Sequence, residues 1–274
     1  MKNFNLLVAK EIREDSLEIS FSKEHERKTA PEIDLNIQKE WERALEETPK
    51  LFPGLKFRLS KVQEVNGKVI ISLGMTNYKD YVGTNLANNL NVLKERGLKE
   101  GDENLYLSNP LGNMCVTETS DGKIVFIKRS NKVAEYKGFI DVPGGHPEPD
   151  LAGITLENMF DYSKSQEELK KVLFDSVEEE LISELNVTQA DMGKITCIGI
   201  ITNTETNKPD IIFHAKLTIS SKQLEELYRE GPEESFESDD IIFVDKEGLD
   251  EYRKNNKITP ATYASIECFL RLNY

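Results

Sequence analysis

Apolar and polar residues alternate along this chain with two periods, and the periods predict its elements. Residues 3–9 and 17–21 are short β-type runs. Between 31 and 48, Ile33, Ile37, Trp41, Ala44 and Leu45 recur at helical spacing behind Pro31, which predicts an amphipathic helix with proline in its first turn. Pro49 and Pro53-Gly54 stop it. Two β-type runs, 56–65 and 68–76, flank Asn66-Gly67, a hairpin signal because both turn positions need positive φ. Leu86, Leu90 and Leu93 share a face of a helix expected over 84–97, with Thr84 as N-cap and Gly97 as its stop. A first α+β unit is expected to end near 101–110, where Gly101, Asp102, Asn109 and Pro110 cluster.

The second half opens with another hairpin, 114–119 and 123–130, around Ser120-Asp121-Gly122. A strand then runs into the Gly/Pro-rich loop Val142-Pro143-Gly144-Gly145-His146-Pro147-Glu148-Pro149. An acidic, helix-rich stretch follows over 154–187, then strands at 195–202 and 210–219 and a helix at 221–229. An acidic turn-rich segment at 230–240, a strand at 241–245 and a terminal helix at 260–272 complete the chain. Helices before and after mixed strands imply an α/β fold in α/β/α layers.

Charge narrows the function. Of 274 residues, 35 are Lys or Arg and 49 are Asp or Glu, a formal charge of −14. That excludes a nucleic-acid binder working by net charge, because a phosphate backbone demands a basic face. A small phosphorylated ligand needs only a local cluster or a metal, so it stays open. Cys115, Cys197 and Cys268 are odd in number, far apart and without zinc-ligand spacing, as expected of reduced thiols in a cytoplasmic or nuclear protein. The N-terminal apolar stretch ends at Lys10-Glu11, too short for a leader, and no run reaches the ~18 apolar residues of a membrane helix. No membrane partner is expected, and the oligomeric state is not readable.

The chemistry concentrates between Lys137 and Val187. Glu180 and Glu184 stand four apart, so on a helix both carboxylates share one face, while Val177, Leu181 and Leu185 line an adjacent face that can pack on a sheet. Two close carboxylates repel unless a cation lies between them, and oxygen-loving Mg²⁺ fits, most of all when substrate phosphates complete its shell. In a chain this rich in Glu such a pair is ordinarily a solvated helix face, and a lone Gly-Gly is ordinarily a turn.

Together and in this order the two blocks resemble the Nudix box, G-x5-E-x7-R-E-U-x-E-E-x-G-U, with U a bulky aliphatic residue. With Gly145 as the first glycine, Glu179 stands for Arg, Glu180 for Glu, Ser183 for Glu, Glu184 for Glu and Asn186 for Gly. Glu179 follows Gly145 by 34 positions, about 20 more than the box has, so an insertion lies at about 150–172. Tyr78–Asn85, Ser108–Gly112, Arg129–Glu135 and Asp141–Pro149, with Asp150–Gly153 inside the insertion, are similar to the divergent UDP-glucose/UDP-galactose pyrophosphatase branch of that family.

The resemblance implies a Nudix α/β/α sandwich at 108–274, its box spread over 144–187, behind an α+β N-terminal domain at 1–107. It implies Glu180 and Glu184 as metal-holding and catalytic residues, with Mg²⁺ or Mn²⁺ as cofactor. Ser183 leaves the number of metals open. Substrate-binding positions carried over with the blocks are Phe52, Tyr78, Arg129, Ala134, Asp141, His146 and Glu148. A guanidinium at Arg129 suits phosphate, and Tyr78 and Phe52 offer flat apolar partners to a base. Gly144 and Gly145 let backbone approach phosphate or metal. Glu205, Asp210 and Glu179 are alternatives for the general base, and nothing in the sequence chooses between them. The implied reaction is metal-dependent hydrolysis of a small-molecule nucleotide sugar to UMP and sugar 1-phosphate. ADP-ribose, NADH or coenzyme A as substrate, or a catalytically silent nucleotide-sugar binder, are the competing readings.

Overall fold

The strand pairing divides the chain into two sheets that share one core, seen in a computed structural model describing residues 3–133, 135–159, 161–234 and 236–272. The first half contributes β1 (Phe4–Val8), β2 (Leu17–Phe21), α1 (Pro31–Glu47), β3 (Leu55–Val65), β4 (Lys68–Asn77), α2 (Tyr78–Thr84) and α3 (Leu90–Lys99). β3 and β4 form the expected hairpin, and Asn66 and Gly67 take φ of 51° and 80° at its turn. β2 adds parallel to β4, giving a three-stranded sheet in the order β2-β4-β3. α1 starts at Pro31 and buries Ile33, Ile37 and Trp41, the stripe that the spacing predicts.

The helix expected over 84–97 is two helices. Asn77 caps α2 by accepting from the Asp80 amide at 2.9 Å, so that helix ends at Thr84 instead of starting there. The Thr84 hydroxyl turns inward, donating to the Asp80 carbonyl at 2.6 Å and accepting from the Ser108 amide at 3.1 Å. Gly97 does not stop α3, which runs on to Lys99. A Cβ at Gly97 would collide with the Asp102 carbonyl, so close packing explains that glycine.

The second half contributes β5 (Gly112–Glu118), β6 (Lys123–Arg129), β7 (Ile140–Asp141), α4 (Gln166–Leu185), β8 (Met192–Asn203), β9 (Pro209–Leu217), α5 (Ser221–Glu230), β10 (Ser238–Asp245), α6 (Leu249–Asn255) and α7 (Pro260–Arg271). The larger sheet has the order β1-β8-β9-β5-β6-β10, with β7 on β6. Its first strand comes from the start of the chain: β1 pairs antiparallel with β8, so the smaller sheet is built from residues 17–77. β5 and β9 run parallel at the centre, and the other neighbours are antiparallel.

α4 covers one face of this sheet. Leu169, Val172, Leu173, Val177, Leu181 and Leu185 pack in a core with Ile211 and Phe213 of the larger sheet and Leu17 and Ile71 of the smaller one. α7 covers the other face, with Ile266, Cys268 and Phe269 against Val116, Phe126 and Ile198. This is the expected α/β/α layering. All three cysteines are free and buried. Among the described residues no helix is long and apolar enough to cross a membrane.

Candidate active site

The loop from Pro143 to Gly145 is held between β5 and α4. Cys115 and Asn113 donate backbone N–H groups to the carbonyls of Pro143 and Gly145 at 2.8 and 3.0 Å. The Asn113 side chain accepts from the Gly145 amide at 2.7 Å and donates to Ser176 on α4 at 2.8 Å. The Gly145 carbonyl thus accepts from β5 through one of its two lone pairs. Gly144 is required by close approach, since a Cβ there would overlap the Asn113 carbonyl, and a Cβ at Gly145 would displace the Glu180 carboxylate that stands against it.

Ser165 and Glu168 form a reciprocal capping box that starts α4, and Asn186 ends it at φ 59°. The Asn186 side chain donates to the Leu227 carbonyl at 2.8 Å, so the residue in place of the box glycine also ties α4 to α5. Glu180 and Glu184 lie on the α4 face beneath the glycine loop. Glu184 is buried and accepts from the Gly144 amide at 2.9 Å. Burial first, and Glu180 second, push its carboxyl well above the ordinary range. Glu180 lines a cleft of about 640 Å³. Burial, then repulsion from Glu234 and Glu237, raise its carboxyl to about 8, while the His146 backbone amide pulls the other way.

The cleft draws on both halves of the chain. Thr48, Leu51, Tyr78 and Tyr81 come from the first half, and the ends of β5, β6 and β9 with their loops come from the second. The Tyr78 ring stands edge-on to Trp41 at 6.2 Å and beside Tyr81 at 6.0 Å. Arg129 ends β6 and donates to Asp141 Oδ2 at 3.0 Å. Asp141 Oδ1 accepts from Thr259 at 2.8 Å and from Thr262, both at the start of α7. Lys208 and Asp210 pair at 2.5 Å, with Asp210 buried over Gly112. Lys132, Lys137 and Lys208 join Arg129 in the lining, a local cationic group in an acidic chain.

Of the residues singled out from the sequence, Tyr78, Arg129, Asp141, His146, Glu148 and Glu180 meet in this cleft. Glu184 lies behind Gly144. Burial holds the His146 imidazole well below its ordinary pKa, with Lys208 and Lys56 adding to the effect, so the ring is neutral at pH 7. Glu148 pairs with Lys56 of β3. Phe52 is 74% exposed and outside the lining, although Leu51 beside it is inside. Ala134 falls outside the described residues. Among the general-base alternatives, only Asp210 lines the cleft. Glu205 is engaged by Asn3 at 2.6 Å and Tyr136 at 3.3 Å, and the Glu179 carboxyl is raised first by partial burial and then by Asp175 and Asp150.

Sequence reasoning missed Glu135, Glu234 and Glu237. Glu135 accepts from the Tyr81 hydroxyl at 3.3 Å, and burial raises its carboxyl against the pull of Lys208. Glu234 and Glu237 belong to the acidic 230–240 segment that the sequence marks only as turn-rich.

An all-oxygen set of crowded, charge-starved carboxylates is the donor chemistry that Mg²⁺ or Mn²⁺ takes. The glycine loop leaves a cradle over Glu180 that a Cβ would fill. The donors are gathered without being closed around one point: among the described residues no three His, Cys, Asp or Glu side chains already converge tightly enough to hold an ion.

No family model matches the chain. "Uridine diphosphate glucose pyrophosphatase NUDT22" of Bos taurus is 32% identical over 269 residues, covering 94% of this chain and 92% of its own. The Homo sapiens protein of the same name is 31% identical over 255 residues, covering 86% and 80%. "Nudix hydrolase 9" of Arabidopsis thaliana is 32% identical over 263 residues, covering 89% and 82%.

Proposed function

This chain belongs to the Nudix hydrolase family, and we propose that it hydrolyses the diphosphate of a UDP-sugar, UDP-glucose or UDP-galactose, to UMP and the sugar 1-phosphate. The observation that carries the reading is the meeting of unlike charges in one cleft. Glu180, Glu234 and Glu237 share it with Arg129, Lys132, Lys137 and Lys208. A diphosphate concentrates negative charge, which a divalent cation held by the carboxylates together with the guanidinium and ammonium groups would offset.

Glu180 and Glu184 are the side chains that would hold a divalent cation, Mg²⁺ or Mn²⁺, which when bound screens the diphosphate and makes phosphorus more electrophilic. Arg129 presents its fork to phosphate oxygens, and Asp141 fixes the direction of that fork through one oxygen while Thr259 and Thr262 anchor the other. Tyr78, braced by Trp41 and Tyr81, offers a flat face to the uracil ring. Phe52, exposed next to the lining residue Leu51, offers a second face at the lip. Neutral His146 keeps one donor and one acceptor nitrogen for phosphate or sugar. Glu148, beside it, accepts sugar hydroxyls.

The test is product analysis. Purified protein with Mg²⁺ is incubated with UDP-glucose, UDP-galactose, ADP-ribose, NADH and coenzyme A. UMP released from the UDP-sugars alone is the expected result. Turnover of ADP-ribose, NADH or coenzyme A in their place would discard the UDP-sugar assignment. No product from any of them, with UDP-glucose still raising the melting temperature, would turn the reading to a binding protein.

A further inference from the structure

The helix that carries Glu180 and Glu184 has a gap. Ser183 stands where the Nudix box places a third carboxylate, and it leaves the helix one acidic group short. The structure fills the neighbourhood of that gap from elsewhere in the chain. The Ser183 hydroxyl lies 3.3 Å from Glu234 Oε2, and the Glu234 amide donates to the Ser183 carbonyl at 3.0 Å. A residue of α4 and a residue of the segment before β10 are thus joined by backbone and by side chain.

That segment is pinned at its far end as well. Ser130, just after β6, donates its amide to the Glu237 carbonyl at 2.8 Å and its hydroxyl to the Phe236 carbonyl at 2.7 Å. Glu237 in turn donates its amide to the Glu234 carbonyl at 2.9 Å. Glu234 and Glu237 line the same cleft as Glu180. Serine suits position 183 for two reasons: its hydroxyl, which is 3.3 Å from both the Glu180 carbonyl and Glu234 Oε2, is within reach of the incoming carboxylate, and its size leaves the volume that a glutamate there would occupy.

We propose that Glu234 replaces the carboxylate missing at position 183, so that the cation group of this cleft is assembled from α4 and from the segment before β10. The inference rests on the Nudix reading above. It goes further in assigning a metal-holding role to a residue outside the box, and in explaining why a serine is tolerated within it.

Mn²⁺ binding to the full-length protein, measured by titration calorimetry and by loss of the free-ion electron paramagnetic resonance signal, tests this without reference to turnover. Glu180→Gln is the control and should remove most binding. Glu234→Gln should weaken Mn²⁺ by ~10-fold or more, at least what partners beyond the immediate ligands cost other metal sites. Adding Ser183→Glu to Glu234→Gln should return the affinity to within about threefold of the parent, which a merely structural role for Glu234 would not allow. Melting in EDTA checks that each variant is folded. Parental affinity in Glu234→Gln alongside loss in Glu180→Gln would overturn the proposal and leave the Nudix reading standing. Weakened binding that Ser183→Glu does not repair would overturn it too. Parental affinity in Glu180→Gln would instead strike the metal reading itself.

Discussion

Asp141 and Asp210 reach the cleft with cationic or hydroxyl partners, whereas among the described residues Glu180 and Glu184 are hydrogen-bonded only by backbone amides. Asp141 is neutralised by Arg129 and bonded by two threonines, and Asp210 by Lys208. The Gly144 amide serves Glu184 and the His146 amide serves Glu180, with further acidic groups as neighbours. Burial pushes Asp210 upward too, but against the pull of a lysine. A buried charge with a partner belongs to the fold's own electrostatics. A buried charge without one is a cost that the free protein carries until something positive arrives.

The contrast predicts opposite signs for two conservative deletions, and this is the largest effect expected. Lys208→Met strands the Asp210 carboxylate and should destabilise the protein by about 3 kcal/mol, the lower end for breaking a buried ion pair. Glu184→Gln retains an acceptor for the Gly144 amide but removes the ionisable group. It should stabilise the metal-free protein by more than ~1.4 kcal/mol, the cost of each unit by which folding raises a carboxyl's pKa. Urea melts in EDTA at pH 7.5 measure both. Equal signs would end the distinction between the two acidic regions.

A second measurement sharpens the comparison through pH. Glu180 has its pKa raised to about 8 in the folded protein from an ordinary value of 4.5. Between those values the folded state holds a proton that the unfolded state has released, so stability must fall as pH rises and level off above about 8. The histidines His25, His146 and His214 are all lowered, and they raise stability with pH only up to their unfolded pKa. Between pH 7 and 8 the slope therefore reports chiefly carboxyls, because the buried thiols of Cys115, Cys197 and Cys268 ionise in the unfolded chain only as pH nears 9. Metal-free protein should lose stability from pH 7 to 8 by no more than ~1.4 kcal/mol for this group, and Glu180→Gln should lose less. The same slope in both proteins would mean that Glu180 ionises normally.

The two regions also differ in how far the sequence reveals them. Glu180 and Glu184 are legible because helical spacing is local: four residues apart is one face, whatever the tertiary structure. The glycine loop, the Asn66-Gly67 hairpin and the Pro31 helix start are legible for the same reason. What stays hidden is long-range. Nothing near position 183 announces that residue 234 packs against it, and nothing in residues 3–9 announces pairing with β8. The misplaced helix over 84–97 shows a local signal overridden. Thr84 can cap a helix, but its hydroxyl is used by Asp80 and Ser108, and Asn77 caps a helix one element earlier. Phe52 and Tyr78 read alike as aromatics, and only the fold separates a braced wall residue from an exposed one.

That last pair supplies the smallest expected effect. The Phe52 ring lies over Gly54, where a Cβ would stand 2.9 Å from it, and the residue is 74% exposed. Phe52→Ala should therefore leave the melting temperature within a degree or two of the parent, as exposed substitutions usually do. If the ring covers the base of a bound nucleotide, its loss removes stacking worth about 1 kcal/mol, the low end for a base on an aromatic, and raises KM for the UDP-sugar about fivefold with little change in kcat. Tyr78→Ala would not isolate the same contact, because it also unpacks Trp41 and Tyr81 and lowers stability. An unchanged KM for Phe52→Ala would confine base recognition to the Tyr78 side of the cleft and leave the lip without a part in binding.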